Sequence, residues 1–102
     1  MNANAAQAVA GHAAGKSVVL DVRRDDEWAA GHAEGALHWE LARLEGGEMP
    51  DVPKDATVYT YCAAGGRAGK AAEILAAHGW ERVASIGGLK DWEEAGGAVE
   101  HL

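Results

Sequence analysis

The sequence predicts an α/β layer sandwich built on a parallel sheet, and three observations carry that prediction. Short apolar runs at 17–22, 57–61 and 82–86 alternate with helix-spaced stretches along the whole chain. The first of them, 17–22, is a short apolar run consistent with a buried parallel strand. The second run delivers the chain's single cysteine, Cys62, to a small-residue loop. In open sheets of this kind ligands gather at the carboxyl ends of strands, and Cys62 stands at such an end.

Taken in order, residues 2–15 are alanine-rich, with Asn4 as the expected N-cap of a weak helix through Ala8 or Val9 that Gly11 and Gly15 interrupt. Residues 1–16 are therefore expected to be weakly ordered or helical, with no strand. Ser17 to Val22 forms the first strand. Asp25 then caps a brief helix with Asp26, Glu27 and Trp28 in its first turn, where the helix dipole favours acids. Residues 31–35 are a turn cluster, followed by a short strand at Ala36-Leu37-His38. Leu41 to Leu44 has helical spacing and breaks at Gly46-Gly47, and residues 50–55 are a polar connection containing Pro50 and Pro53. Thr57 to Tyr61 is the strand that ends in Cys62. The next helix reads Arg67 to His78 and stops at Gly79, with Ala68, Ala71, Ala72, Ile74 and Leu75 on a small apolar face suited to close approach to a sheet. A last strand spans Arg82 to Ile86. Gly87-Gly88 then turns into a helix from Leu89 to Glu94, with Trp92 facing inward.

At 102 residues the chain makes one domain with a single core, and 48% hydrophobic with 25% charged residues is a globular composition. A net charge of −7 disfavours nucleic acid and anionic membranes as partners, since both require a basic face. No apolar run is long enough to span a bilayer, and the first residues lack a secretion signal, so a cytoplasmic address is expected. One cysteine excludes an internal disulfide framework and argues against a cysteine-built metal site. No metal or cofactor is expected. The charge is unevenly spread: no acid falls between Asp55 and Glu73, whereas Arg67 and Lys70 do, which makes the loop a cationic island in the sequence.

The loop itself, Cys62-Ala63-Ala64-Gly65-Gly66-Arg67-Ala68, carries the candidate chemistry. Where a strand gives way to a helix, the first free backbone N–H groups converge, and with the helix dipole they stabilise a thiolate over a thiol. The glycines let the backbone bend around whatever the sulfur carries. A cysteine can equally be a small buried hydrophobe, but a strand end followed by glycines is a poor place for core filling. Arg67 is open to two roles: orienting an anionic donor through its planar fork, or bracing the loop by pairing with an acid elsewhere. Lys70 reads as a solvated helix residue.

Several stretches together resemble the rhodanese-like domain, the fold of thiosulfate sulfurtransferases. Leu20-Asp21-Val22-Arg23 with Glu27-Trp28 resembles the family's Asp-x-Arg stretch and following acidic–aromatic pair. Gly31-His32 and Gly35-Ala36 resemble its turn, although Ala33 and Glu34 stand where a β-branched residue and a proline are usual. Cys62 to Arg67 resembles its active loop, and Gly87-Gly88 with Trp92 its closing motif. The four motifs occur in order over roughly residues 17 to 96. The resemblance implies a three-layer sandwich with a parallel sheet of four or five strands and helices on both faces. It departs in lacking a convincing first strand before the first helix, which leaves one sheet edge for a partner to cover.

The resemblance also implies a reaction. Cys62 takes sulfane sulfur from thiosulfate or a persulfide donor and holds it as a persulfide until a thiol, that of a protein included, or cyanide removes it. The backbone amides from Ala63 to Ala68 (Ala63, Ala64, Gly65, Gly66, Arg67 and Ala68) form the substrate cradle in the manner of an oxyanion hole, and no general base is needed. Because Ala63 and Ala64 carry no charge, a persulfide donor stays open beside thiosulfate. Two other functions compete. A phosphatase or arsenate reductase resembles Cys followed by five residues and then Arg, whereas four separate Cys62 from Arg67. A non-catalytic binding module of the same family would usually have lost the cysteine.

The remaining residues read as structure. Asp21 and Arg23 flank a strand end and fix a turn. His32 is a hydrogen-bonding turn residue with no second ligand at metal spacing. His38 and His78 end elements, and His12 and His101 lie in the tails. Trp28, Trp39, Trp80 and Trp92 pack in place of the phenylalanines this chain lacks. Gly65 to Lys70 superficially resembles a nucleotide phosphate loop but has Ala64 for its first glycine and Ala71 for its Ser/Thr.

Overall fold

Side chains along the two central strands alternate between two cores. In β4 (Thr57–Cys62), Val58 and Cys62 face one side, while Tyr59 and Tyr61 face the other. In β1 (Ser17–Asp21) the same period separates Leu20 from Val19. This pattern comes from a computed structural model that describes residues 2–101. Around these strands the element order is α1 (Ala3–Ala13), β1, α2 (Asp25–Ala30), β2 (His32–Ala33), β3 (Leu37–His38), α3 (Leu41–Glu45), β4, α4 (Gly66–Ala77), β5 (Arg82–Gly88), α5 (Leu89–Glu94) and β6 (Val99–Glu100).

The main sheet has four parallel strands in the order β3-β1-β4-β5, and β2 pairs antiparallel with β6 beside it. On one face α3 and α4 close a core of Leu20, Val22, Leu44, Val58, Ala71, Leu75 and Trp80. On the other, α1 and α5 close a core of Ala5, Ala8, Val19, Tyr59, Tyr61, Ile86 and Trp92. The three-layer α/β sandwich is therefore present. Full burial of a side chain such as Leu75 contributes about 1.5–3 kcal/mol. The alanines of α1 and α4 contribute mainly by letting the helices lie close to the sheet.

Several local expectations need correcting. Helix α1 is capped by Asn2 rather than by Asn4, and the Asn2 side chain accepts from the Ala5 N–H at 3.1 Å. It also runs through Gly11 to Ala13 instead of stopping near Val9. Packing explains the continuation: a Cβ at Gly11 would collide with Ser17 of β1, so the glycine permits the close crossing that the rest of the helix exploits. Helix α2 is capped by Arg24 rather than Asp25, with the Glu27 carboxylate accepting from the Arg24 N–H at 3.2 Å. Gly87 and Gly88 belong to the end of β5, and the short pair β2–β6 had no strand signal in the sequence.

The expected absence of a strand before the first helix has a structural consequence. β5 is left as a sheet edge, and the amides of Asn2 and Asn4 donate to its carbonyls at Ile86 (2.8 Å) and Ser85 (3.3 Å). Two asparagine side chains thus occupy part of an edge that would otherwise be open to pairing.

Candidate active site

Cys62 is the last residue of β4, and the chain turns there into α4 through Ala63, Ala64 and Gly65. Gly65 has φ 110°, a left-handed conformation that side-chain-bearing residues avoid. That turn swings the Gly65 N–H onto the Cys62 sulfur at 2.9 Å. One helical turn on, the Ala68 N–H reaches the same Sγ at 3.4 Å. Two main-chain donors at the start of a twelve-residue helix with no acid in its first turn thus converge on the sulfur.

The surrounding chain holds this turn from two sides. Thr60 donates its buried hydroxyl to the Ala68 carbonyl at 2.8 Å, tying the first turn of α4 back to the strand that carries Cys62. From β5, Gly88 lies so close beneath the loop that a Cβ there would stand 2.2 Å from the Ala63 carbonyl oxygen. Neither contact is visible locally. Thr60 gave no signal in a strand full of β-branched and aromatic residues, whereas Gly88 was flagged by its motif alone.

Cys62 is 1% exposed, while Ala63, Ala64 and Gly66 above it are exposed. The sulfur thus sits at the floor of a loop of small residues, between the apolar core below and main-chain N–H groups above. Of the predicted cradle, Gly65 and Ala68 donate to the sulfur; Ala63, Ala64 and Gly66 line the loop.

Arg67 adopts the bracing role. Its two terminal nitrogens grip the two carboxylate oxygens of Glu27 at 2.6 and 2.9 Å, a bidentate pair joining α4 to α2. The hydrogen bonds from Arg67, aided by the Arg24 N–H, pull the Glu27 carboxyl down to about 2. The same pair raises Arg67 further above its ordinary value. Lys70, exposed as expected, lies 3.3 Å from Glu45 of α3. The cationic island of the sequence is therefore neutralised in the fold, because both of its cations meet acids from earlier in the chain.

Asp21 and Arg23 do fix a turn, more firmly than a surface pair would. Arg23 donates to both Asp21 oxygens and to the Gly31 carbonyl, and the Tyr61 hydroxyl donates to Asp21 while accepting from the Ala33 N–H. All three side chains are buried. Burial and the bond to Asp21 push the Tyr61 phenol well above its ordinary value, so it stays protonated. This network anchors the β4 residue immediately before Cys62.

The histidines are structural in the same sense. His32 stacks on Trp28 at 3.5 Å and reaches the Trp28 carbonyl and Glu100. His38 stacks on the other side of Trp28 and contacts the Arg23 carbonyl through Nε2 at 2.7 Å. Its Nδ1 faces Asp25 at 3.6 Å, and with Glu40 these residues form a loose, partly exposed cluster. His12 is not in a tail; it meets the edge of Trp92 from α1.

A parallel α/β sandwich with a lone cysteine at a strand end, met by the amides that open the following helix, defines a class of α/β domains built around a cysteine loop. The chain belongs to the rhodanese-like domain family, whose model matches residues 4–95. It is 38% identical over 73 residues to the thiosulfate sulfurtransferase PspE of Escherichia coli, covering 71% of this chain and 70% of that one. Among solved structures, it is similar to a thiosulfate sulfurtransferase from Pseudomonas aeruginosa, with TM-score 0.82 and 33% identity over 95% of this chain and 19% of that one. It is also similar to an E. coli rhodanese solved with anions, with TM-score 0.71 and 30% identity over 84% of this chain and 99% of that one.

Proposed function

We propose that the protein is a sulfurtransferase in which Cys62 carries sulfane sulfur between a donor and an acceptor. The observation that carries this reading is the pair of N–H groups, from Gly65 and Ala68, aimed at the Cys62 sulfur. They favour negative charge on that sulfur, or on a second sulfur attached to it, without any side chain that must titrate. The Cys62 thiolate attacks the outer sulfur of thiosulfate or of a persulfide; the donor's S–S bond breaks, and sulfite or a thiolate leaves. Cys62 then bears a persulfide. A thiol or cyanide attacks its terminal sulfur and restores the thiolate. Similarity to proteins named as thiosulfate sulfurtransferases supports this family of reactions.

The loop length supports sulfur over phosphate, since four residues between Cys62 and Arg67 enclose less space than five. Arg67 supports the same choice, because its guanidinium is committed to Glu27 instead of to a tetrahedral oxyanion. Among the described residues no helix is long and apolar enough to cross a membrane. The reading sets the reaction in the cytoplasm, where a lone thiol stays reduced.

The test is intact mass. Reduced protein incubated with thiosulfate or cysteine persulfide should gain the mass of one sulfur, and cyanide or dithiothreitol should remove it. Cys62→Ser should gain none while keeping its fold. Failure of both donors to label the wild-type protein would turn the reading to a binding module.

A further inference from the structure

Resting on the sulfur-transfer reading, we propose that Glu27 is a specificity-determining residue that selects the donor. By holding both terminal nitrogens of Arg67, it denies a dianionic donor the loop's own cation and leaves the site suited to small alkyl persulfides.

The argument starts from charge. Thiosulfate brings two negative charges toward a sulfur that is itself to be a thiolate, so three negative charges approach before sulfite departs. An alkyl persulfide in its R–S–SH form brings no charge at the reacting end. The Cys62 thiolate forms a bond to the outer sulfur, the S–S bond breaks, and R–S⁻ leaves with the electron pair and collects the persulfide proton. Charge at the reacting centre therefore stays at one throughout. A site built for thiosulfate needs cations to hold the extra charge; one built for persulfides does not.

This chain's loop supplies no such cation. Ala63, Ala64, Gly65 and Gly66 are uncharged, and Arg67 is held at 2.6 and 2.9 Å by both oxygens of Glu27. Lys70, the next cation along α4, lies beside Glu45, and Arg24, which shares a groove with Arg67, faces Asp26 at 3.6 Å and Glu27 at 3.9 Å. The groove beside Glu27 is lined by Ala30, Leu89, Val99, the carboxylate of Glu93, His101 and Arg23, and that arginine is committed to Asp21. Hydrogen bonds from Arg67 keep Glu27 ionised down to about pH 2, so the neutralisation persists at every working pH. What remains to attract an anion is the pair of main-chain N–H groups, which suffices for one charge on sulfur.

The experiment compares thiosulfate and cysteine persulfide as donors for wild type, Glu27→Gln, Arg67→Gln and the double variant. Glutamine keeps the shape of Glu27 and removes only its charge. Wild type should use cysteine persulfide with the higher kcat/KM. E27Q should lower KM for thiosulfate about 3- to 10-fold with kcat little changed, and leave cysteine persulfide within about twofold. The gain should vanish in the double variant and shrink with added salt, since charge attraction between partly exposed groups is screened. R67Q alone leaves Glu27 as an unpaired carboxylate beside the loop and should raise the KM for thiosulfate. If E27Q slows both donors equally, or leaves the thiosulfate KM unmoved, Glu27 only braces the loop and the proposal is wrong. Glu27→Ala, which also frees Arg67, guards against an effect peculiar to the amide. Absence of any Cys62 labelling in wild type is a separate outcome: it removes the sulfur-transfer reading and this inference with it.

Discussion

Two arginine–carboxylate forks serve this fold differently, and the contrast lies in burial and sequence distance. Asp21 and Arg23 are two residues apart, 0% and 6% exposed, and tied into Tyr61, the Gly31 carbonyl and the Ala33 N–H. Glu27 and Arg67 are forty residues apart, and their side chains are 20% and 32% exposed. In the first pair both charges have left water, so each depends on the other being present. In the second pair water still screens the charges, and the pair's main effect is on the field over the active loop. The inner fork maintains the fold beneath Cys62; the outer fork sets the charge beside it.

That difference can be broken by mutation. Asp21→Asn strands a buried guanidinium and should cost about 3–5 kcal/mol, seen as a lower urea midpoint with unchanged slope. Tyr61→Phe leaves the Ala33 N–H and one Asp21 oxygen without their hydroxyl and should cost about 1–3 kcal/mol by the same measurement. Because the Tyr61 phenol is pushed up by burial, its hydroxyl should not titrate between neutral and mildly alkaline pH.

Glu27→Gln should change stability least, by about 1 kcal/mol or less at neutral pH. Acid sharpens the point. Glu27 is lowered in the folded state from 4.5 to about 2, so the unfolded chain binds its proton first. The stability it contributes is fully present above about pH 4.5 and is lost as pH falls toward about 2. Unfolding midpoints measured across that window should fall less steeply in E27Q than in wild type. Equal slopes would show that Glu27 is not selectively stabilised as an anion.

Much of the architecture was legible because its signals are local. Short strand-like runs marked β1, β4 and β5, and glycines at 79 and 46–47 marked the ends of α4 and α3. The strand–loop–helix passage through Cys62 was legible for the same reason, as was the choice of Asp21 and Arg23 as turn residues. Helix α1 was underestimated because Gly11 weakens a helix in isolation, yet here its missing side chain is what allows the crossing over Ser17. The β2–β6 pair was missed because two residues carry no periodicity, and its strands are sixty-odd positions apart in the chain.

By itself, the sequence determined where the cysteine sulfur stands and which backbone must surround it, since a strand end, small residues and a helix start within a few positions leave the amides little choice. Only the tertiary structure decided the charge of that neighbourhood. Along the chain no acid falls between Asp55 and Glu73, the window that holds Arg67 and Lys70, but the crossovers from β1 to β4 bring Glu27 and Glu45 beside them. Electrostatic partners are set by distance in space, and no local pattern records them.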